Sequence, residues 1–474
     1  MTTTARRIFP DETQRLALRA RNVLTNLGTN LAAPRKTEVR HVPPPEIQAA
    51  YRILNFALRA GAAMLGCGAS TNEVEATVLE LTAACGLDHC ETDVTFTSMT
   101  ASYIRGDDCE PVTAVWVVRH RSLHYGQLAG VSTLRADLKA GRITSEQAIT
   151  RLDEVLAAPP RGERLVLVSW AGMAAAFTVL LGGRWIAAVT AFVAAAVVTL
   201  LMRAVGRYGI PPFFQSIMGA AGATGFAMAV AAMHVPVQPP MVVAGGIMIL
   251  VPGYALVASV RDAITGFPIS GSARGLEVLL TAVGIMTGVA VILYLAVYFD
   301  VTLGLTTGVT TPLPQTVVQV IAAGIAASLY AAAAHVPRPS LAYAGLVGAG
   351  GWAVFLALGH AGMTLVPATA IAAVFIGAAG TVLARRQRTH AFLYIVPGVM
   401  PLVPGLTLYQ GMLYLFTGSN AAVGTLLRAL TVGLTIAAGV TLGEMIIRPH
   451  RPRPESTEPD PAANGDGGQR AETG

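Results

Sequence analysis

Charge is the scarce commodity of this sequence. Of 474 residues only 13% are Asp, Glu, Lys or Arg while 53% are hydrophobic, and the mean hydropathy is +0.57. Soluble proteins carry roughly a quarter of their residues charged, so an ordinary soluble enzyme is excluded and the chain reads as an integral membrane protein. Residues 208–260 contain no Asp, Glu, Lys or Arg at all. No P-loop is present, which excludes a pump driven by ATP, and no motif asks for a cofactor. G-x-S-x-G, HExxH and close carboxylate pairs are also missing, so no catalytic constellation is assigned. The first thirty residues hold Arg6, Arg7, Asp11, Glu12, Arg15, Arg19 and Arg21 without an apolar run, which argues against a secretory signal and for a cytoplasmic N-terminus. Cysteine is rare too: Cys67, Cys85, Cys90 and Cys109 all lie in the hydrophilic part. Cys85-x4-Cys90 beside His89 fits no common zinc spacing, so no metal is expected and the cysteines read as reduced, partly buried thiols.

The charge that exists is unevenly distributed. Residues 1–163 carry 18 basic and 18 acidic side chains, 164–449 carry 12 and 4, and 450–474 carry 3 and 5. The basic pI of about 9.3 therefore comes from a membrane segment whose arginines sit in loops, and gives no case for nucleic acid as a partner. From Leu165 onward ten apolar stretches of about 20 residues can each span a bilayer: 165–182, 185–205, 213–234, 239–260, 276–299, 315–335, 339–358, 363–384, 392–416 and 424–447. With the N-terminus inside, thirteen arginines, Arg261 and Arg274 among them, fall on the cytoplasmic side and only Arg184 and Arg428 outside. An even number of spans returns the C-terminus to the cytoplasm. The expected address is a plasma (cell) membrane, multi-pass, with the lipid bilayer as a partner; a homo-oligomer is compatible with this.

The hydrophilic part reads as a flexible arm over 1–45 and an α/β domain over 46–163. Ile47, Tyr51, Leu54, Leu58, Ala62 and Leu65 recur at helical spacing until Gly66-Cys67-Gly68. Ser70 or Thr71 caps a second helix, with Glu73 in its first turn. Alternation over 92–97 and 113–118 suggests two strands joined by an acidic turn at 106–108, and helices over 127–140 and 145–157 close the domain. Ser70, Thr71, Glu73 and Glu75 form its most polar cluster, read as a capped helix with a solvated face.

Residues 250–266 align without gaps on 402–418, seven of seventeen positions matching at an offset of 152. The copies lie in the fourth and ninth spans, so the membrane part divides into two five-helix units, 164–300 and 301–448, ahead of a disordered tail over 449–474. Five is odd, so the second unit enters the membrane inverted, the arrangement of secondary transporters. Pro252-Gly253 and Pro404-Gly405, with Pro397-Gly398 just before the second copy, stand about 18–20 Å along their spans, close to the middle of the hydrocarbon. Proline removes an amide and glycine tolerates an opened backbone, so these six residues are the candidate substrate and translocation site. Arg261, Asp262, Glu277 and Glu444, with Asp300, are candidates for coupling to an ion or proton gradient. Gly284–Gly288 and Gly439–Gly443 mark close helix packing.

The order Gly68-Ala69-Ser70-Thr71-Asn72-Glu73-Val74-Glu75, then Leu250-Val251-Pro252-Gly253 with Arg261-Asp262 and Ser270-Gly271, then Val396-Pro397-Gly398 and Leu402-Val403-Pro404-Gly405, resembles the threonine/serine exporter family over residues 46–447. The resemblance implies proton-driven export of small hydroxy amino acids from the cytoplasm, a transporter and not an enzyme; the family's soluble domain has been likened to hydrolases, but no catalytic constellation carries over to this sequence. Some relatives carry the halves as separate chains and resemble dicarboxylate exporters, so a succinate-like substrate is one alternative; a membrane-tethered hydrolase or sensor is the other.

Overall fold

The protein is described here from a computed structural model covering residues 44–106, 109–118, 123–233, 235, 237, 239–298, 313–416 and 418–447. The arm before residue 44, the tail from 448 and Asp300 lie outside the described residues. The chain divides into two units, Met1–Gln48 and Ala49–Gly474; of the first, only the opening turn of helix α1 is described.

Helix α1 (Pro45–Gly66) and α2 (Thr71–Ala84) are followed by an antiparallel sheet of β1 (Cys90–Val94), β2 (Ser98–Tyr103) and β3 (Val112–Val117), then α3 (Tyr125–Lys139) and α4 (Ser145–Ala157). Leu54, Leu58, Met64 and Leu65 of α1 are buried with Val74, Val78 and Leu81 of α2, Met99 of β2 and Leu128, Val131 and Leu134 of α3. Tyr51, expected on the apolar face of α1, is half exposed, the buried stripe running instead through Ala57, Ala60 and Met64. The strand reading needs correction as well. Thr95 Oγ1 accepts the Ser98 N–H at 3.1 Å, closing a tight turn inside the stretch read as one strand. The middle strand Ser98-Met99-Thr100-Ala101-Ser102-Tyr103 pairs with both neighbours although its composition announces no strand.

The apolar part begins with α5 (Glu163–Leu180), α6 (Trp185–Gly206) and α7 (Pro212–Ala232). The fourth expected span is two short helices, α8 (Pro239–Ile247) and α9 (Gly253–Ile264), and α10 (Pro268–Tyr298) follows. Then come α11 (Leu313–Ala333), α12 (Arg338–His360), α13 (Leu365–Gln387), the half-helix α14 (Phe392–Val399) with a 3-10 turn over Met400–Leu402, α15 (Gly405–Phe416) and α16 (Ala421–Ile447). Among the described residues eight helices are long and apolar enough to cross a membrane, nine if the pair Phe392–Leu402 and Gly405–Met412, bent by 42°, is counted as one broken span. The protein is a polytopic, mostly helical membrane protein. The expected span 239–260 is interrupted between Ile247 and Gly253, at the break that Pro252-Gly253 implies, because Pro252 cannot donate into a continuing helix.

Packing partners recur between the two sets of helices. The contacts α5 with α6, α6 with α7, α6 with α8, α7 with α10 and α9 with α10 return as α11 with α12, α12 with α13, α12 with α14, α13 with α16 and α15 with α16. Helix α9 also packs on α16, and α15 on α10, while α5 packs on α11. The α7–α10 contact is close because Gly284 and Gly288 face the backbone of Phe213 and Ile217, and Gly439 and Gly443 serve α16 against α13 in the same way. A Cβ on Gly288 would meet the Ile217 carbonyl and Ala220. Gly288→Val should therefore destabilise the helix pair by about 1–3 kcal/mol, read as a lower melting temperature in detergent.

Candidate functional site

The two Pro-Gly breaks have the same backbone. Gly253 N–H donates to the Val251 carbonyl at 2.9 Å and Gly405 N–H to the Val403 carbonyl at 2.8 Å. Leu256 N–H returns to the Pro252 carbonyl, and Leu408 N–H to the Pro404 carbonyl, each at 3.0 Å. The breaks also meet: a Cβ on Gly253 would run into the Met400 side chain, with Val403 at 3.9 Å, and one on Gly405 would stand 3.3 Å from Met248 Sδ. Pro397-Gly398 is different. Both residues are buried within α14, with Gly398 packed on Val347 and Ile376.

A buried charge cluster lies at the far end of α9. The sequence counts Arg261 and Arg274 among the loop arginines and puts Asp262 near a helix end, but the connection between α9 and α10 is only Thr265–Phe267. Gly266 turns it at φ +97°, and the Ser259 hydroxyl donates to the Gly271 carbonyl at 2.8 Å. All three side chains are therefore carried inside helices. Arg261 Nη1 stands 3.0 Å from Glu444 Oε2 on α16 and 3.7 Å from Glu73 Oε2 on α2. Its guanidinium lies over the Phe392 ring, 5.4 Å from the centroid. Asp262 is fully buried and accepts the Thr71 N–H at 2.8 Å and the Thr71 hydroxyl at 3.1 Å, with Arg274 Nε at 3.3 Å. Arg274 also donates to the carbonyls of Gly68 and Ala69 at 3.2 and 3.0 Å.

The segment Gly68–Glu73 is thus held by Asp262 near the end of α9 and by Arg274 near the start of α10. Gly68 turns out of α1 at φ +90°, a left-handed conformation that glycine adopts without strain, and so delivers two carbonyls to Arg274. Ser70 precedes α2 without capping it through its side chain; the Ser70 hydroxyl is fully buried and finds no hydrogen-bond partner among the described residues. Thr71 turns to Asp262 rather than back onto its own helix. The solvated-face reading of Ser70, Thr71, Glu73 and Glu75 is overturned, since all four are buried or nearly so. Glu277 stands half-buried on α10, three residues beyond Arg274.

His390 is the member that sequence reasoning missed. Helix α13 ends in Arg388, left-handed at φ +53°, and the buried Tyr394 hydroxyl ties the turn down through Gln387 at 2.8 Å and Thr389 and Ser340 at 3.1 Å. His390 Nε2 then lies 2.9 Å from Glu73 Oε1. Its only signal was a lone histidine seven residues ahead of Pro397-Gly398. Burial by itself would raise the Glu73 carboxyl, but His390 and Arg261, with Arg135 behind them, outweigh it and hold the group below the ordinary carboxylate range.

A second contact joins the α/β part to the apolar part. Tyr125 N–H donates to the Ala334 carbonyl at 3.0 Å, and the His124 and His335 rings stack at 4.7 Å. Burial first, then the neighbouring His124 and Arg161, push the His335 imidazole down to about 4. Cys67 is buried with its thiol donating to the His124 carbonyl, and burial pushes it up to about 12, as an inert structural thiol requires. Among the described residues no group of three or more His, Cys, Asp or Glu could hold a metal ion.

Comparison with known proteins follows the same division. Residues 55–296 match a family described as "Putative threonine/serine exporter", and residues 319–446 match one described as "Threonine/Serine exporter, ThrE". The chain is 32% identical over 411 residues to a "Probable threonine/serine exporter" of Mycobacterium tuberculosis, covering 84% of this chain and 77% of that protein. It is 31% identical over 437 residues to a "Threonine/serine exporter" of Corynebacterium glutamicum, covering 90% and 89%. No solved structure matches it significantly.

Proposed function

The chain belongs to the threonine/serine exporter family, and from that premise we propose that it is a secondary transporter that exports threonine and serine from the cytoplasm, driven by the proton motive force. Transport is its activity, and nothing favours the hydrolase or dicarboxylate alternatives. The architecture we assign is ten spans in a 5+5 inverted repeat within the plasma membrane. The α/β domain and both termini lie on the cytoplasmic side. The recurrence of each helix contact at the equivalent place in the second set supports the repeat.

The observation that carries the transport reading is the meeting of two like breaks, Gly253 against Met400 and Val403, Gly405 against Met248. Helices α9 and α15 both start there, and the first amides of a helix have no partner within it. The positive end of each half-helix suits the substrate carboxylate, while carbonyls freed at the ends of α8 and of the 3-10 turn suit the ammonium group. With only four acids between 164 and 449, backbone groups must supply most of that recognition.

Cells loaded with a threonine dipeptide should accumulate less internal threonine when they express this chain. Pro252→Ala with Pro404→Ala restores two amides and two continuous helices, and should abolish the difference. Unchanged efflux in the double variant would remove the breaks from the transport path.

A further inference from the structure

One buried group in the cluster has its protonation tied to the backbone of a broken helix. His390 is 4% exposed. Nδ1 accepts the Phe392 N–H at 3.2 Å, and Nε2 lies 2.9 Å from Glu73 Oε1. A ring nitrogen that accepts a hydrogen bond carries no proton, so this arrangement holds the neutral tautomer with its proton on Nε2, toward the Glu73 carboxylate. A second proton can bind only at Nδ1, where it would face the Phe392 N–H, donor against donor. Binding it requires the first turn of α14 to move off the ring.

Charge pulls the other way. The charge nearest the ring is the Glu73 carboxylate, 2.9 Å from Nε2, and an opposite charge at that distance draws a proton to the ring. The groups that face the ring are Glu73 from α2 and the Phe392 ring, 5.2 Å away on its own segment. Behind Glu73 stand Arg261 of α9 and Arg135 of α3, and behind Arg261 stands Glu444 of α16. Electrostatics therefore favours the proton and the helix start opposes it, so no single arrangement satisfies both. An element of this kind has two states.

We propose that His390 is the residue through which protons are exchanged for substrate. The proposal deepens the exporter reading and rests on it. Neutral His390 holds the closed arrangement, with Glu73 engaged and the first turn of α14 tied to the ring. Protonation forms an N–H bond at Nδ1 with a proton taken from water, and the Phe392 N–H hydrogen bond is given up. Helix α14 leads through Met400–Leu402 into the second break, so release of its first turn acts directly on the meeting point with Gly253. Loss of the same proton to the cytoplasm restores the closed arrangement.

The test uses the full chain in proteoliposomes and two assays, exchange of labelled for unlabelled threonine without a gradient and accumulation driven by a proton gradient. His390→Gln offers an amide of similar reach that cannot take up a proton. The ratio of driven accumulation to exchange should fall roughly tenfold or more, and the pH dependence of accumulation should flatten. An unchanged ratio with an unchanged pH profile overturns the proposal. Wild-type liposomes that exchange neither threonine nor serine overturn the exporter reading instead. Should His390→Gln lose exchange as well, proton release on threonine binding in detergent decides. Release from the wild type that Glu73→Gln moves to a different pH supports His390, and binding without release from the wild type overturns it.

Discussion

Replacing Arg261 by methionine should cost the folded protein about 3–5 kcal/mol, the range seen when one partner of a buried ion pair is removed. The guanidinium answers two carboxylates through one nitrogen, Glu444 at 3.0 Å and Glu73 at 3.7 Å, and none of the three side chains is more than 18% exposed. Methionine fills much of the volume but leaves Glu73 and Glu444 as like charges in a site with little water. Arg261→Met with Glu444→Gln should recover a sizeable part of the loss, because one of the stranded charges is then gone. Arg261→Lys should fall between, since an ammonium is a compact charge that cannot lie flat on the Phe392 ring while reaching both acids. The measurement is thermal unfolding in detergent. An Arg261→Met protein that melts with the wild type would show that the pair behaves like an exposed one, worth about 0–1 kcal/mol.

Parts of this site could be read from residues alone. Charge is so scarce in the apolar part that Asp262 and Glu444 were conspicuous, and the repeat around Pro252 and Pro404 marked two breaks whose matching backbone bonds the structure then supplies. What escaped is long-range. Thr71 and Asp262 are 191 positions apart, and no local pattern announces that a helix start in an α/β segment will be answered by a carboxylate on α9. Ser70-Thr71-Asn72-Glu73 looks like an ordinary capped helix because the same side chains serve either purpose. Arg274 was placed in a loop because an unpaired arginine belongs there. Here Asp262 and the carbonyls of Gly68 and Ala69 satisfy it, which allows α10 to start at Pro268, well before its apolar stretch. The middle strand was missed for a different reason: Ser, Thr, Ala and Met carry little β-branched signal, and its two neighbours provide the pairing that its own composition does not announce.

Asp262→Ala should undock Gly68–Glu73 from α9, and the Thr71 amide will report it. In the intact protein that amide donates to a fully buried carboxylate, its hydroxyl makes a second bond to the same group, and Arg274 completes the set. Alanine takes the Asp262 carboxylate from the Arg274 guanidinium, which keeps the carbonyls of Gly68 and Ala69 and the Phe96 ring beneath it, and takes the acceptor from the Thr71 amide. The loss is again about 3–5 kcal/mol. If local opening of the segment governs exchange, hydrogen exchange at Thr71 should accelerate by about a hundredfold or more, while amides in the middle of α7 and α13 keep their protection. Thr71→Val, which removes one hydroxyl bond and keeps the amide, should cost only about 1 kcal/mol. A double-mutant cycle of Thr71→Val with Asp262→Ala should therefore be non-additive, because the hydroxyl has nothing left to lose once the carboxylate is gone. Unchanged protection of Thr71 in Asp262→Ala would mean that shape alone holds the segment in place. Asp262 would then be only a counter-ion for Arg274, and the coupling would have to run through Glu73 and His390 without it.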